Sequence, residues 1–431
     1  MDILLIFSDQ QHKYALGKVD PQYLTPNLDR LAEEGVLFTS AYSNNPVCGP
    51  FRGCLMTGQY TTHCKVYKNN EPLPEGVPTI ASTLRRMGWQ TAFTGKWHLG
   101  GKGNNPIPEA LRGGFERFSG YQCYNGFEPS PPFSNEVVFY DEENRAHPYQ
   151  IHRTEATTQN ALVQLRSMCR DHRPFFCMVG YQAPHYPEQP SPKFAELYRD
   201  VEFSKPPDYQ DTEPYTPTFN PPSPKDRSQD PDYRSYGGNM AEYRKLYAAM
   251  VSQVDDGVGR IIDELKQQSR YENTMIIYMS DHGDMQGSHG LTNKCVPYEK
   301  SAGIPLIIRM PKGLKGQRCS ALVSGVDVSA SILDAAGVEL PKGCDGISLL
   351  PLVTGEGPLL RDFVITESTQ GAKKWRMIRQ GPYKLVTSFE GYVPELLFDM
   401  EKDPYEMENI LNQAEHGLVQ GLLHTLKQQT M

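Results

Sequence analysis

Four apolar runs in this chain stop abruptly on polar residues that a buried core would not select, and this pattern limits the possible folds more than any other feature. Ile3–Phe7 runs into Ser8-Asp9-Gln10, and Gln90–Thr94 into Gly95-Lys96-Trp97-His98. Phe175–Tyr181 leads to Ala183-Pro184-His185, and Thr274–Met279 to Ser280-Asp281-His282-Gly283-Asp284. Short continuous apolar runs read as strands buried on both faces. Amphipathic stretches lie between them. Thr25 is a predicted N-cap, with Pro26 at the first helical position and Gly35 beyond the end. Thr79–Met87 reads as a helix closed by Gly88, and Ile304–Ile308 as another strand. Tyr243–Lys266 carries Leu246, Met250, Val254, Val258, Ile261, Ile262 and Leu265 at helical spacing. Such alternation predicts an α/β fold with a large, mostly parallel sheet sandwiched by helices. After Pro351 the character changes. Phe363–Glu367, Trp375–Arg379, Tyr383–Thr387 and Leu396–Asp399 read as short antiparallel strands, and Glu415–Gln429 as a closing helix. Residues 1–360 are thus predicted as a main domain, and 361–431 as a small α+β domain.

In open α/β sheets, ligands bind beyond the carboxyl ends of the strands. The four ends would bring Asp9, Asp281, His98, His185, His282 and Lys96 to one edge. Taken singly, an Asp after a strand more often forms a turn or caps a helix, and a single His is more often structural. All four ends together favour a site. Asp9 and Asp281 supply hard oxygens and His282 an imidazole, a mixture suited to Ca2+, Mg2+ or Mn2+. Gln10 adds a neutral amide oxygen, and Asp284 is expected to cap the next turn. The segment Pro46-Val47-Cys48-Gly49-Pro50-Phe51-Arg52 comes next in the argument. Pro50 marks the start of a helix and Gly58 its end, which puts Cys48 at the positive N-terminal end. Arg52 follows one turn on. A cysteine so placed is expected to have its thiolate favoured; the alternative is a buried structural thiol.

The bulk properties remove other classes. A net charge of −8 argues against nucleic acid as a partner. No stretch is long and apolar enough to span a bilayer, so no membrane partner is expected. The N-terminal apolar run is short and has no basic segment before it, which does not read as a signal peptide. Nine cysteines without CxxC pairs suit a reducing cytoplasm.

The motifs resemble those of the formylglycine-dependent (type I) sulfatases of the alkaline phosphatase superfamily. Cys48-Gly49-Pro50-Phe51-Arg52 is similar to that family's Cys-x-Pro-x-Arg signature, and Leu55-Met56-Thr57-Gly58 continues it. Thr25–Leu31, Gly95–His98, Ala183–His185, Ser280–Asp284, Ser288–Leu291 with Lys294, and Asp345–Leu350 follow in the same order. Leu397-Phe398-Asp399 and Asp403–Glu406 resemble the family's ending. The resemblance implies an alkaline phosphatase-like catalytic domain that hydrolyses sulfate esters of a saccharide or other small molecule. It implies conversion of Cys48 to Cα-formylglycine by a maturation enzyme, and one divalent metal, Ca2+ ahead of Mg2+ or Mn2+. Asp9, Gln10, Asp281, His282 and the Cys48 position would hold that metal. Arg52, Lys96 and Lys294 would surround the sulfonate oxygens, His185 with Lys294 would protonate the leaving oxygen, and His98 would act as a base. Two residues depart from the usual pattern. Gln10 stands where many members have a second Asp, as in choline sulfatases and phosphonate monoester hydrolases, so phosphonate or phosphate diesters are the alternative substrates. Phe51 stands where a small residue is usual. A non-catalytic metal-binding protein is a third reading, opposed by the intact set of Arg52, Lys96, His98, His185 and Lys294. Loops 102–150 and 203–238 are expected to line the pocket for the alcohol, with Arg145, His147 and His152 nearby on what reads as solvated loop.

Overall fold

Asp2–Asp9 (β1) is buried at every position, and its side chains alternate between two cores. Ile3, Leu5 and Phe7 belong to one core, and Leu4 and Ile6 to the other. That is why the run reads as continuously apolar rather than alternating. The computed structural model describes residues 1–124, 137–210, 239–358, 361–371 and 373–431. Beyond β1 the strands are β2 (Val36–Phe38), β3 (Ala41–Tyr42), β4 (Gln90–Lys96), β5 (Arg117–Tyr121), β6 (Val137–Asp141), β7 (Ala146–Tyr149) and β8 (Phe175–Pro184). They continue with β9 (Thr274–Ser280), β10 (Leu306–Arg309), β11 (Gln317–Cys319) and β12 (Val323–Ser324).

The main sheet has ten strands in the order β11-β2-β10-β9-β1-β8-β4-β5-β6-β7. Its central run β9-β1-β8-β4-β5 is parallel, and β10 is reversed between β9 and β2. On the Leu4/Ile6 side, helices Arg153–Cys169 and Met240–Gln267 bury Ala161, Leu165, Val254, Val258 and Ile261. On the Ile3/Leu5/Phe7 side, helices Cys48–Thr57 and Gly325–Ala335 bury Cys54, Leu55, Met56, Val326 and Ile332. The doubly covered, mostly parallel sheet is the predicted one. Within 102–150, expected to be loop, β5, β6 and β7 form one edge of the sheet instead. They are short, and the outermost is mostly exposed, so their apolar signal is weak. Residues 125–136 of that stretch, and 211–238 of the second predicted loop, lie outside the described residues. No helix among the described residues is long and apolar enough to cross a membrane.

Thr25 stands at the N-cap position of the first helix, with Pro26 at its first turn, as expected, but its side chain does not do the capping. Helix Pro26–Glu33 receives no side-chain hydrogen bond from Thr25. Its free N–H groups are taken from across the fold by Asp255, which accepts from Leu28 N at 2.7 Å and Asn27 N at 3.1 Å. A cap supplied by a distant helix leaves no local signature for sequence reasoning to find.

The C-terminal part is a four-stranded antiparallel sheet, β13 (Phe363–Ser368), β14 (Trp375–Gln380), β15 (Tyr383–Ser388) and β16 (Pro394–Asp399), followed by helix His416–Thr430. One of its faces, through Ile365, Ile378, Leu385 and Leu397, joins the core that holds Ile3, Leu5 and Phe7. Strand β13 is bonded to the segment just before Cys48. Thr366 Oγ1 donates to Ser43 O at 2.7 Å, Glu367 N to Asn44 O at 2.8 Å, and Asn44 Nδ2 to Ile365 O at 3.1 Å.

Candidate active site

Because β9, β1, β8 and β4 are neighbours in that order, their carboxyl ends bring Asp281 and His282, Asp9 and Gln10, His185, and Lys96 with His98 to one edge. Gly95 permits the last of these. Its φ is +105°, and a Cβ there would lie 2.0 Å from Gly180 O on β8, so only glycine lets the two strands close up ahead of Lys96. Helix Cys48–Thr57 points its N-terminus at the same edge, and Gly58 ends it with a left-handed φ of 70°.

All four donors of the central cluster are buried: Asp9, Cys48, Asp281 and His282 each offer one atom, and these atoms lie within 4.8 Å of one another. Cys48 Sγ is 3.4 Å from Asp9 Oδ1 and 3.2 Å from His282 Nε2. Asp9 Oδ2 receives Lys96 Nζ at 2.7 Å and Arg52 Nη2 at 2.9 Å, and the same guanidinium reaches Asp281 Oδ2 at 3.3 Å. Burial works to raise the Asp9 pKa, but Lys96, His185 and Arg52 outweigh it and keep the carboxyl well below its usual range. Asp281 is pushed up to about 7 by burial and by the Asp9 charge. His282 is held neutral by burial and by Lys294. Its Nδ1 faces Gly283 O at 3.0 Å and must donate there, which leaves the Nε2 lone pair turned to the cluster. Two adjoining carboxylates and an imidazole lone pair, all dry, form a donor set that fits a hard divalent cation.

Gln10 is joined to this cluster by three bonds. Its N–H donates to Asp281 Oδ1 at 3.0 Å, its Oε1 accepts from Lys294 Nζ, and its Nε2 donates to Asp284 Oδ2. The backbone there has a φ of 72°, an uncommon conformation for a non-glycine residue. Asp284 does cap its turn as expected, accepting from Gln286 N at 2.9 Å. It also accepts from Tyr243 at 2.6 Å, while Tyr247 donates to Gln10 O at 2.7 Å. Sequence reasoning missed both tyrosines. They lie one turn apart on the long helix, and their spacing was readable, but counting apolar residues alone passes over them. Asn69, which accepts from Gly49 N at 2.9 Å, had no signal.

His98 and His185 are both buried and held well below the usual imidazole range. For His98 the causes are burial, then Lys96 and Arg52. For His185 they are burial, then Lys294 and Lys96. Lys294 stays charged; burial opposes this, but the Asp9 carboxylate helps to offset it. His98 Nδ1 and Arg52 Nε have no hydrogen-bond partner among the described residues, so both have bonding capacity left for a ligand. One expectation fails. The Cys48 thiolate is not favoured, because burial and the Asp9 carboxylate push its pKa up, and Arg52 turns to the carboxylates and to Lys96 O instead. Phe51 is fully buried in the core beside Gly325. Arg145 and His147 grip Asp141 of the edge hairpin, at 2.7 and 2.8 Å, and His152 caps helix Arg153–Cys169. None of these three is bonded to the cluster.

The strand-end cluster sits on a mostly parallel sheet covered by helices, an alkaline phosphatase-like fold. The comparisons specify it further. The sulfatase family model matches residues 1–338, and that of the C-terminal part of N-sulphoglucosamine sulphohydrolase matches 287–431. The choline-sulfatase of Rhizobium meliloti is 31% identical, over 95% of this chain and 82% of its own. The ulvan-active sulfatase of Formosa agariphila is 28% identical, over 98% and 79%. A protein solved in complex with its substrate D-glucosamine-2-N,6-O-disulfate superposes with a TM-score of 0.81 at 26% identity, covering 99% of this chain and 97% of that one. The chain belongs to the sulfatase family and is a sulfuric ester hydrolase.

Proposed function

We propose that this sulfatase cleaves sulfate esters of saccharides, with a nucleophile derived from Cys48 and one divalent cation, Ca2+ ahead of Mg2+ or Mn2+. The observation that carries the reading is the seat of Cys48 Sγ, 3.4 Å from Asp9 Oδ1 and 3.2 Å from His282 Nε2. The thiol itself is a poor candidate, since its own surroundings disfavour the thiolate. Conversion of Cys48 to Cα-formylglycine, by a maturation enzyme, would supply a hydrated aldehyde, whose oxygen can attack sulfur. The cation, held by Asp9, Asp281, His282, the Cys48 position and Gln10 Oε1, would supply the positive charge that favours an ionised oxygen there.

The remaining steps fall to the side chains. Arg52, Lys96 and Lys294 present fixed positive charge to the sulfonate oxygens, where charge builds in the transition state. Lys294 keeps its proton and His185 is held neutral, so the proton for the leaving oxygen comes from Lys294, with His185 steadying the ester oxygen beside it. His98, neutral and with Nδ1 unpartnered, is the base that takes a proton as sulfate departs. Saccharide substrates draw support from the relatives, one described as ulvan-active and one solved with a glucosamine disulfate.

Two measurements test this. Peptide mass over residues 45–60 of active protein should show formylglycine at position 48; a thiol alone would overturn the nucleophile. A panel of sulfated mono- and disaccharides, run beside an aryl phosphonate, should show preferred turnover of a sulfated sugar. Faster phosphonate hydrolysis would favour the alternative that Gln10 suggested.

A further inference from the structure

A cavity of about 270 Å³ is lined by His12, Tyr23, Phe203, Arg244, Gln286 and Lys300, among others. Its wall combines aromatic rings with polar groups that lack partners. Lys300 is only 8% exposed, yet no carboxylate lies within ion-pair distance of it among the described residues. Gln286 Nε2 and His12 Nδ1 are buried without a hydrogen-bond partner among the described residues. Gln286 Oε1 is already engaged by His12 Nε2 at 3.2 Å, so the idle end of the amide is its donor end. Arg244 adds a second buried cation, fixed by donating to Gln286 O at 2.7 Å. Tyr23 and Phe203, packed edge to face at 5.6 Å, form an apolar side of the cavity. The two carboxylates in the wall already serve neighbouring groups. Asp20 accepts from Gln22 N at 3.0 Å, and Asp208 from Ser288 Oγ at 2.7 Å.

A buried ammonium and an idle amide donor are costly unless an acceptor reaches them. The complement of two cations, an unused N–H donor and an aromatic wall is a small oxyanion carried on an organic ring. We propose that this cavity binds one carboxylated or sulfated sugar ring, with its anionic group on Lys300 and Gln286 and its body against Tyr23 and Phe203. None of Asp9, Cys48, Asp281 and His282 lines this cavity, and the proposal does not depend on the mechanism given above.

The test is calorimetric titration of the full chain with D-glucuronate, D-glucose 6-sulfate and inorganic sulfate. A Lys294→Ala background disables the catalytic anion site, so binding that persists there belongs elsewhere. At least one of the two sugars should still bind in Lys294→Ala protein and lose tenfold or more in affinity when Lys300→Met is added. The sugar that binds more tightly identifies the anionic group. Lys300→Met alone should leave aryl sulfate turnover unchanged. If that variant fails to fold, Phe203→Ala at the cavity wall should still weaken binding of the sugar. Binding of inorganic sulfate alone, binding lost with Lys294→Ala, or sugar binding indifferent to both Lys300→Met and Phe203→Ala would each overturn the proposal.

Discussion

Gln10 sits at the turn after β1 with its amide bonded at both ends, Nε2 to Asp284 and Oε1 to Lys294, which leaves Oε1 one further lone pair. Asp284 therefore decides which end of the amide faces the cluster. Asp284→Asn removes a charged acceptor shared by Gln10 and Tyr243. Affinity for Ca2+, read by calorimetry on purified protein, should fall roughly 10–100-fold. An unchanged affinity would mean that Gln10 does not ligate. Lys294→Ala should cut turnover by orders of magnitude while the unfolding temperature holds. A loss under about tenfold, or about 1.4 kcal/mol of barrier, would mean that the role is misassigned. Most residues of the cluster were legible in the sequence, because chemistry-bearing types stood at strand ends in an ordered set of motifs. The charge state of Cys48 was not. Helix position and Arg52 argued for a thiolate, but desolvation and Asp9 decide the outcome, and a linear sequence shows neither burial nor the direction in which a guanidinium turns.

At the level of helices and strands, the long apolar runs gave reliable strands, while β5–β7 went unseen because edge strands carry little hydrophobic signal. The N-cap position of helix Pro26–Glu33 was legible, but the carboxylate that takes its free N–H groups was missed for a different reason: Asp255 is far away in sequence. It offers a test by pH. Burial raises the Asp255 pKa to about 6. A carboxyl raised in this way stabilises the fold below its unfolded pKa, and that contribution is lost as pH climbs through the folded value. Between about pH 4 and pH 6, Asp255→Asn should therefore gain on wild type by about 2–3 kcal/mol, seen as a converging or crossing pair of unfolding curves. A constant difference across that range would refute the shift. The contact between helices Cys48–Thr57 and Gly325–Ala335 offers another. A Cβ on Gly325 would lie 2.6 Å from the Phe51 ring. Gly325→Ala should cost about 1–3 kcal/mol by overpacking, and Phe51→Leu in the same chain should recover part of it. Additive losses would show that the ring is not what the methyl meets.

For the whole molecule, the sequence divided the chain at residue 360 because strand–helix alternation stops near Pro351. The core does not follow that division. Ile365, Ile378, Leu385 and Leu397 share one apolar cluster with Ile3, Leu5 and Phe7. Residues 1–360 alone should therefore fail to give a monomer with a cooperative thermal transition, as judged by size exclusion and calorimetry; a truncated chain melting like the full one would show two independent units. The bonds from β13 to Ser43 and Asn44 carry a further consequence, one of timing. Every residue from Cys48 to Thr57 is buried in the folded chain, and β13 braces the segment that leads into this helix. An enzyme that converts Cys48 would therefore have to reach it before this part of the chain folds. Folding rate and the supply of that enzyme would then set the yield of active protein.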